Sequence, residues 1–115
     1  MEVIFSGKKA EKQFNAEYAS KWKYPEKVKE KILSIGEFLE AAESLNDVFA
    51  YPVYRFHPLQ GKREGEWSIS VGNTGWRVAV IPCDENGEAI LSGDIFAQCK
   101  FIKIVMVTEV SNHYE

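Results

Sequence analysis

The sequence predicts an α+β domain in which an N-terminal strand and two helices pack on a mostly antiparallel sheet. Helical apolar spacing is confined to the first half of the chain, and strand-like alternation fills most of the second half. A long run rich in Ile and Val near the C-terminus suits a central strand. Because helices and strands are segregated along the chain, an α+β arrangement is favoured over alternating βα units. We expect residues 1–115 to form a single domain, since no repeat or linker divides them.

The first strand is predicted at Met1–Phe5, where β-branched and aromatic residues alternate with others. Ser6 is a candidate N-cap for a first helix over about residues 8–22. The apolar residues of this helix recur every four positions and form one narrow stripe: Ala10, Phe14, Tyr18 and Trp22.

A second helix is predicted after Pro25, which fits a first helical turn. One apolar face follows at helical spacing, and it consists of Val28, Ile32, Ile35, Leu39, Ala42 and Leu45. Charged residues fill the other face, as expected for a helix with one side in solvent: Lys27, Lys29, Glu30, Lys31, Glu37, Glu40 and Glu43. This is the strongest secondary-structure signal in the chain.

Strands dominate the second half. Trp67–Val71 and Trp76–Ile81 both alternate, and Gly72–Gly75 between them is typical of a hairpin turn. Phe101–Val110 is predicted as the central strand.

The segment between the hairpin and the last strand is harder to assign. A second turn is predicted at Asp84–Gly87. The apolar residues within 88–99 fit either a strand or a short helical insertion.

Composition narrows the class of protein. Hydrophobic residues make up 45% of the chain, which is enough for a core, but no apolar run reaches the ~18 residues of a membrane span. Met1–Phe5 leads into a lysine-rich stretch and does not resemble a secretory signal, so we expect a cytoplasmic protein with no membrane contact. Cys83 and Cys99 form no C-x-x-C pair, so we expect two free thiols, no metal site and no cofactor.

The net charge of −3 hides an uneven distribution. Residues 36–50 contain four acidic residues and no basic one, and residues 81–115 contain six acidic residues against two lysines. Between them, residues 51–80 contain four basic residues against two acidic ones. The pattern favours a local phosphate-binding face over a basic surface that covers most of the protein.

Three short blocks in this basic part carry a resemblance. Arg55–Gly61 reads R-F-H-P-L-Q-G, Gly65–Val71 reads G-E-W-S-I-S-V, and Trp76-Arg77 follows. Together they resemble the HigB branch of the RelE/ParE toxin superfamily. The resemblance implies a strand, two helices and three strands, and cleavage of mRNA, usually on the translating ribosome. It also implies a neighbouring antitoxin protein, expected to contain a helix-turn-helix.

Two departures from the family pattern concern the second half of the chain. The family often ends in Asp-Tyr-His, whereas this chain has Asn112-His113-Tyr114 before its last residue. The chain also has an insertion at about residues 84–99. The identity of a C-terminal acid or base, and the role of the insertion, therefore stay open.

RNA cleavage has simple chemical requirements. RNA carries its own nucleophile, the 2′-hydroxyl beside the scissile phosphate, so neither a metal nor a covalent side chain is required. A base must accept the 2′-hydroxyl proton, an acid must protonate the leaving 5′-oxygen, and cations must stabilise the phosphate. Histidine suits proton transfer near neutral pH, and the planar fork of arginine suits phosphate.

The candidate residues follow from that chemistry and from the resemblance. The candidate catalytic residues are His57, Arg77, His113 and Tyr114, and the candidate RNA-binding residues are Arg55, Lys62 and Arg63. If Trp76 faces the helices, alternation places Arg77 on the open face of the sheet. Each candidate also has a purely structural interpretation: a histidine beside apolar residues, a surface ion pair, a tyrosine at the core edge or a solvated turn. Trp67 and Trp76 are interpreted as core anchors.

Two other functions remain open. A toxin of the same fold can poison a protein target such as a topoisomerase, DNA gyrase for example, and would not need the two histidines. The third possibility is a non-catalytic module that only binds an antitoxin. The net negative charge and the C-terminus that departs from the family pattern are compatible with it.

Overall fold

A five-stranded mixed sheet with helices on one face forms the fold of this protein. The computed structural model describes residues 1–15, 24–63 and 65–112. The elements in chain order are β1 Glu2–Phe5, α1 Lys8–Phe14, α2 Glu26–Ala41, α3 Leu45–Phe49, β2 His57–Pro58, β3 Trp67–Ser70, β4 Trp76–Cys83, α4 Ile95–Gln98 and β5 Ile104–Asn112. Short 3₁₀ turns lie at Pro52–Tyr54, Gly61–Arg63 and Cys99–Phe101.

The strands lie in the order β1-β5-β4-β3-β2. β1 runs parallel to β5, and the other neighbours are antiparallel. The prediction of a mixed α+β fold with a mostly antiparallel sheet is confirmed. The last strand is interior, as predicted, but it begins at Ile104 because Cys99–Phe101 forms a 3₁₀ turn, and β4 occupies the middle of the sheet.

The buried face of α2 agrees with the predicted stripe, because all six of its apolar residues are buried. The helix itself ends at Ala41, since Ala42 takes an extended backbone and Leu45 begins the separate helix α3. The N-terminal ammonium of Met1 donates to the carbonyls of Glu40 and Ala42 at this end. The predicted apolar face of one helix is therefore divided between α2 and α3.

The predicted cap of the first helix is wrong. Helix α1 begins at Lys8, with Gly7 as the N-cap residue and no side-chain cap. The backbone N–H of Ser6 donates to the carbonyl of Val107 at 3.1 Å, so Ser6 still belongs to the ladder between β1 and β5. Ala10 and Phe14 are buried as predicted, whereas Tyr18 and Trp22 lie outside the described residues.

Residues 84–101 contain a tight turn followed by a short helix. The Asp84 carboxylate accepts hydrogen bonds from the backbone N–H groups of Asn86 at 2.8 Å and Glu88 at 3.0 Å, which confirms the turn. Helix α4 follows, and the Asp94 side chain caps it by accepting from the N–H of Ala97 at 3.1 Å. Of the two alternatives for residues 88–99, the short helix is found at Ile95–Gln98, whereas Ala89 forms an isolated antiparallel bridge with Cys83.

The buried apolar side chains form one cluster between the helices and the sheet. Cys83 and Cys99 are both free and buried, as expected. No helix in the described part of the chain is long and apolar enough to cross a membrane.

We predict that Ile32→Ala lowers the free energy of unfolding by about 2–5 kcal/mol, because it leaves a cavity between α2 and the sheet. Ile32 is 0% exposed. Its neighbour Leu33 is 39% exposed, so Leu33→Ala is the matched control and costs under ~1 kcal/mol. Chemical denaturation measures both values, and similar losses in the two variants would contradict the packing described.

Candidate functional site

The open face of the sheet is defined by alternation along β4. Trp76, Val78 and Val80 pack against the helices, and the ring of Tyr24 meets Trp76 edge-on at 4.9 Å. Arg77 therefore lies on the opposite face, as the alternation predicts. Its cross-strand neighbours are Ser70 on β3 and Ser111 on β5.

A cleft of about 340 Å³ lies on this open face at the end of the hairpin. The charged or titratable residues that line it are Arg55, His57 and Arg77. The other lining residues are Ser68, Ser70, Gly72, Asn73, Gly75 and Trp76. None of these described lining residues is acidic, so the cleft is positively charged and suited to an anion.

His57 is held at the rim of the cleft by the short strand β2, where it pairs with Ser68. Its side chain is exposed, and its Nδ1 lies 2.5 Å from the backbone carbonyl oxygen of Arg55. A carbonyl oxygen can only accept a hydrogen bond, so Nδ1 carries the proton. In the neutral ring, Nε2 is then the atom that can accept a proton from a substrate.

Arg55 takes a left-handed backbone conformation, with φ 44° and ψ 44°. Among the described residues it is the one non-glycine residue with positive φ. Such a conformation costs about 1–2 kcal/mol for a residue with a side chain, and strained residues of this kind concentrate at functional sites. Its guanidinium Nη2 donates to the side-chain oxygen of Asn73 at 3.5 Å, across the mouth of the cleft.

Arg77 is partly buried. No carboxylate in the described part of the chain forms a salt bridge with it. Its Nε is buried without a hydrogen-bond partner among the described residues, and so is the Oγ of its neighbour Ser111. The guanidinium therefore has unused hydrogen-bonding capacity beside the cleft.

Arg63 does not line the cleft, and its guanidinium is already paired. Nη1 lies 2.8 Å from Glu109 and Nη2 lies 2.8 Å from Glu66. Burial lowers the pKa of Arg63, but the hydrogen bonds and charges of the two carboxylates outweigh burial and raise it. Arg63 therefore joins the loop before β3 to β5, an internal role that the sequence did not indicate. Lys62, on the same 3₁₀ turn, is exposed.

Thr108 completes this cluster. Its hydroxyl contacts the Glu66 carboxylate and lies 3.2 Å from the carbonyl oxygen of Ala79. The register shifts between Ala79 and Val80, so that Thr108 is an extra residue on β5 and its side chain reaches both groups.

The C-terminal candidates His113 and Tyr114 lie outside the described residues. The preceding residue, Asn112, ends β5 and pairs with Trp76, which lines the cleft. The structure thus brings Arg55, His57 and Arg77 together, and it separates Arg63 from them.

Three polar lining residues were not singled out from the sequence. Ser68 and Ser70 alternate with Trp67 and Ile69, so the strand pattern contained the signal that they face away from the core. Asn73 lies in the turn, and its pairing with Arg55 depends on the fold. Among the described residues, no group of three or more His, Cys, Asp or Glu residues is placed to hold a metal.

We predict that Arg55→Gly is more stable than Arg55→Ala by about 1 kcal/mol, because glycine adopts the left-handed conformation without strain. Both variants lack the guanidinium, so the comparison isolates the backbone. Thermal or urea unfolding of the pair measures the difference, and equal stabilities would contradict the conformation of Arg55.

We also predict that Thr108→Val lowers the free energy of unfolding by about 1–3 kcal/mol, because it removes the hydroxyl that contacts Glu66 and Ala79. Ser111→Ala on the same strand is the control. It removes a buried hydroxyl that has no partner among the described residues, so it costs less. Urea unfolding compares the two variants, and a larger loss in the serine variant would contradict the cluster.

Comparison with known proteins assigns no family to the chain. No protein-family model matches it, and no curated protein matches it. The resemblance described above therefore rests on the residues quoted for it, and a function has to be argued from the site.

Proposed function

We propose that this protein is the toxin of a type II toxin–antitoxin system, a RelE/HigB-like endoribonuclease that cleaves mRNA without a metal. The observation that carries the proposal is the cleft itself. Arg55, His57 and Arg77 line it, and no acidic side chain is among its described lining residues. A phosphodiester fits that charge, and a histidine at the rim fits proton transfer.

In the proposed reaction the 2′-oxygen attacks the adjacent phosphorus and the bond from phosphorus to the 5′-oxygen breaks. Nε2 of His57 accepts the 2′-hydroxyl proton, since Nδ1 is engaged with the Arg55 carbonyl. The guanidinium groups of Arg55 and Arg77 stabilise the five-coordinate phosphate. The leaving 5′-oxygen takes a proton from His113 or Tyr114. The products are a 2′,3′-cyclic phosphate and a 5′-hydroxyl.

The RNA backbone on either side of the reacting phosphate needs further positive charge. Lys62 is exposed on the turn before β3 and is the proposed contact there. We leave Arg63 out of this set, because Glu66 and Glu109 occupy its guanidinium. The proposal further includes action in the cytoplasm on ribosome-bound mRNA, and inhibition by an antitoxin with a helix-turn-helix.

The order of elements supports a RelE-like fold for the same chain. The strand β1 and the helices α1 and α2 precede the antiparallel strands β3, β4 and β5, which matches the order that the resemblance implies, and the short elements α3 and β2 lie between the two groups. The segment with α4 is an addition to that order, and it lies between β4 and β5.

One observation favours a second candidate, a module that acts by binding another protein. The segment around α4 carries three exposed apolar side chains: Leu91, Phe96 and Phe101. Exposed apolar groups on one segment are a common feature of protein-binding surfaces. The bound protein is an antitoxin or, for a poison of the same fold, a target such as DNA gyrase.

Induced expression in a bacterial host tests the proposal. The wild type is expected to arrest growth and shorten mRNA. His57→Ala should lower cleavage by about 10²–10⁴-fold, because it removes the base, and Arg77→Ala should also relieve arrest. Lys100→Ala, an exposed position outside the cleft lining, is the matched control and should remain toxic. Circular dichroism checks that each variant is folded.

Other outcomes separate the alternatives. Arrest with intact mRNA and damaged DNA would favour a poison of a protein target, and no arrest would favour the binding module. Full toxicity in both cleft variants would contradict the assignment of the site.

A further inference from the structure

A second groove adjoins the cleft on the side of α2. This groove, of about 240 Å³, is lined by Lys31, Ile35, Val53, Tyr54, Ser70 and Gly72, together with Ser34. We call it the Lys31 groove. Ser70 and Gly72 also line the cleft, so the two depressions share a border.

Gly72 lies on that border. Its φ is +56°, a conformation that glycine adopts easily. A Cβ added there would lie 3.0 Å from Cδ and 3.3 Å from Nζ of Lys31, so the lysine side chain lies directly over this glycine. The ammonium group therefore lies at the border between the Lys31 groove and the cleft.

Apart from Lys31 and the two serines, the lining of the Lys31 groove is apolar or aromatic. Val53 is 61% exposed, although it is a large hydrophobic residue. Tyr54 beside it is half-buried, and its ring packs against Phe38 at 5.0 Å, which fixes its position. The groove thus offers a cation at one end and an apolar and aromatic surface next to it.

We propose that the Lys31 groove binds the nucleotide next to the one whose phosphate occupies the cleft, in the same single-stranded RNA. The phosphate contacts Lys31, and the base packs over Val53 and Tyr54. This inference rests on the proposed function. Two observations select RNA as the occupant: the groove continues the cleft, and the described lining of both contains cations and no acidic residue.

Binding of 2′-O-methyl RNA of two, four and six nucleotides in mixed sequence tests this proposal, since the methyl group blocks cleavage. Wild-type affinity should rise with length. Lys31→Met should weaken binding of the longer RNAs by about three- to tenfold and reduce the salt slope by about one, with little effect on the dinucleotide. Lys29→Met is the control, because it removes the same charge from the opposite side of α2.

A second variant separates loss of the subsite from loss of the fold. Val53→Glu places an acidic group at an exposed position, so it should leave the fold intact and weaken the longer RNAs in the same way. If the wild type gains affinity with length but neither variant reduces the gain, the Lys31 groove is not the subsite. If the wild type binds no RNA, or if Arg77→Ala does not weaken the dinucleotide, the proposed function fails, and this inference fails with it.

Discussion

The separation of the two faces of β4 is the constraint on which the rest of the structure depends. Val78 and Val80 are fully buried against the helices, so the strand cannot shift by one residue without moving its apolar side chains to the other face. The same register fixes Arg77 on the open face, between Ser70 and Ser111. The hydrophobic core therefore positions the charge that the candidate site uses.

The arginines of the open face differ in whether a carboxylate pairs with them. An arginine without such a partner is the kind that can bind an anion. Arg63 is paired with Glu66 and Glu109 and stabilises the link between a loop and β5. Arg55 and Arg77 have no carboxylate partner among the described residues, and both line the cleft with His57. Their charge remains available to an anion. The strained backbone at Arg55 fits a position kept for binding rather than for stability.

Local patterns predicted most of the architecture. The buried stripe of α2, the hairpin at Gly72–Gly75 and the orientation of Arg77 each follow from spacing within a few residues, and each agrees with the structure. The cap of α1 was misplaced because backbone pairing of Ser6 with β5 depends on a partner about 100 residues away. The residues around Ser6 do not indicate a partner so far away in the sequence.

The site was only partly predictable for the same reason. His57 and Arg77 were recognised from residue chemistry and resemblance, but their shared cleft arises from the pairing of β2, β3 and β4. The pairing of Arg63 with Glu109 joins residues 46 positions apart, and it could not be seen in the sequence. Arg55 follows the 3₁₀ turn in a left-handed conformation, and the sequence did not indicate this because no glycine marks the position.

The central claim is that this cleft promotes attack of the RNA 2′-hydroxyl on the adjacent phosphate. The most direct test is to identify the chemical groups at the ends of the RNA fragments. A translation mixture supplied with this protein should yield mRNA fragments with a 5′-hydroxyl and a 2′,3′-cyclic phosphate. The His57→Ala variant should yield almost none. Fragments that carry a 5′-phosphate, or identical fragments from the His57→Ala variant, would contradict the account.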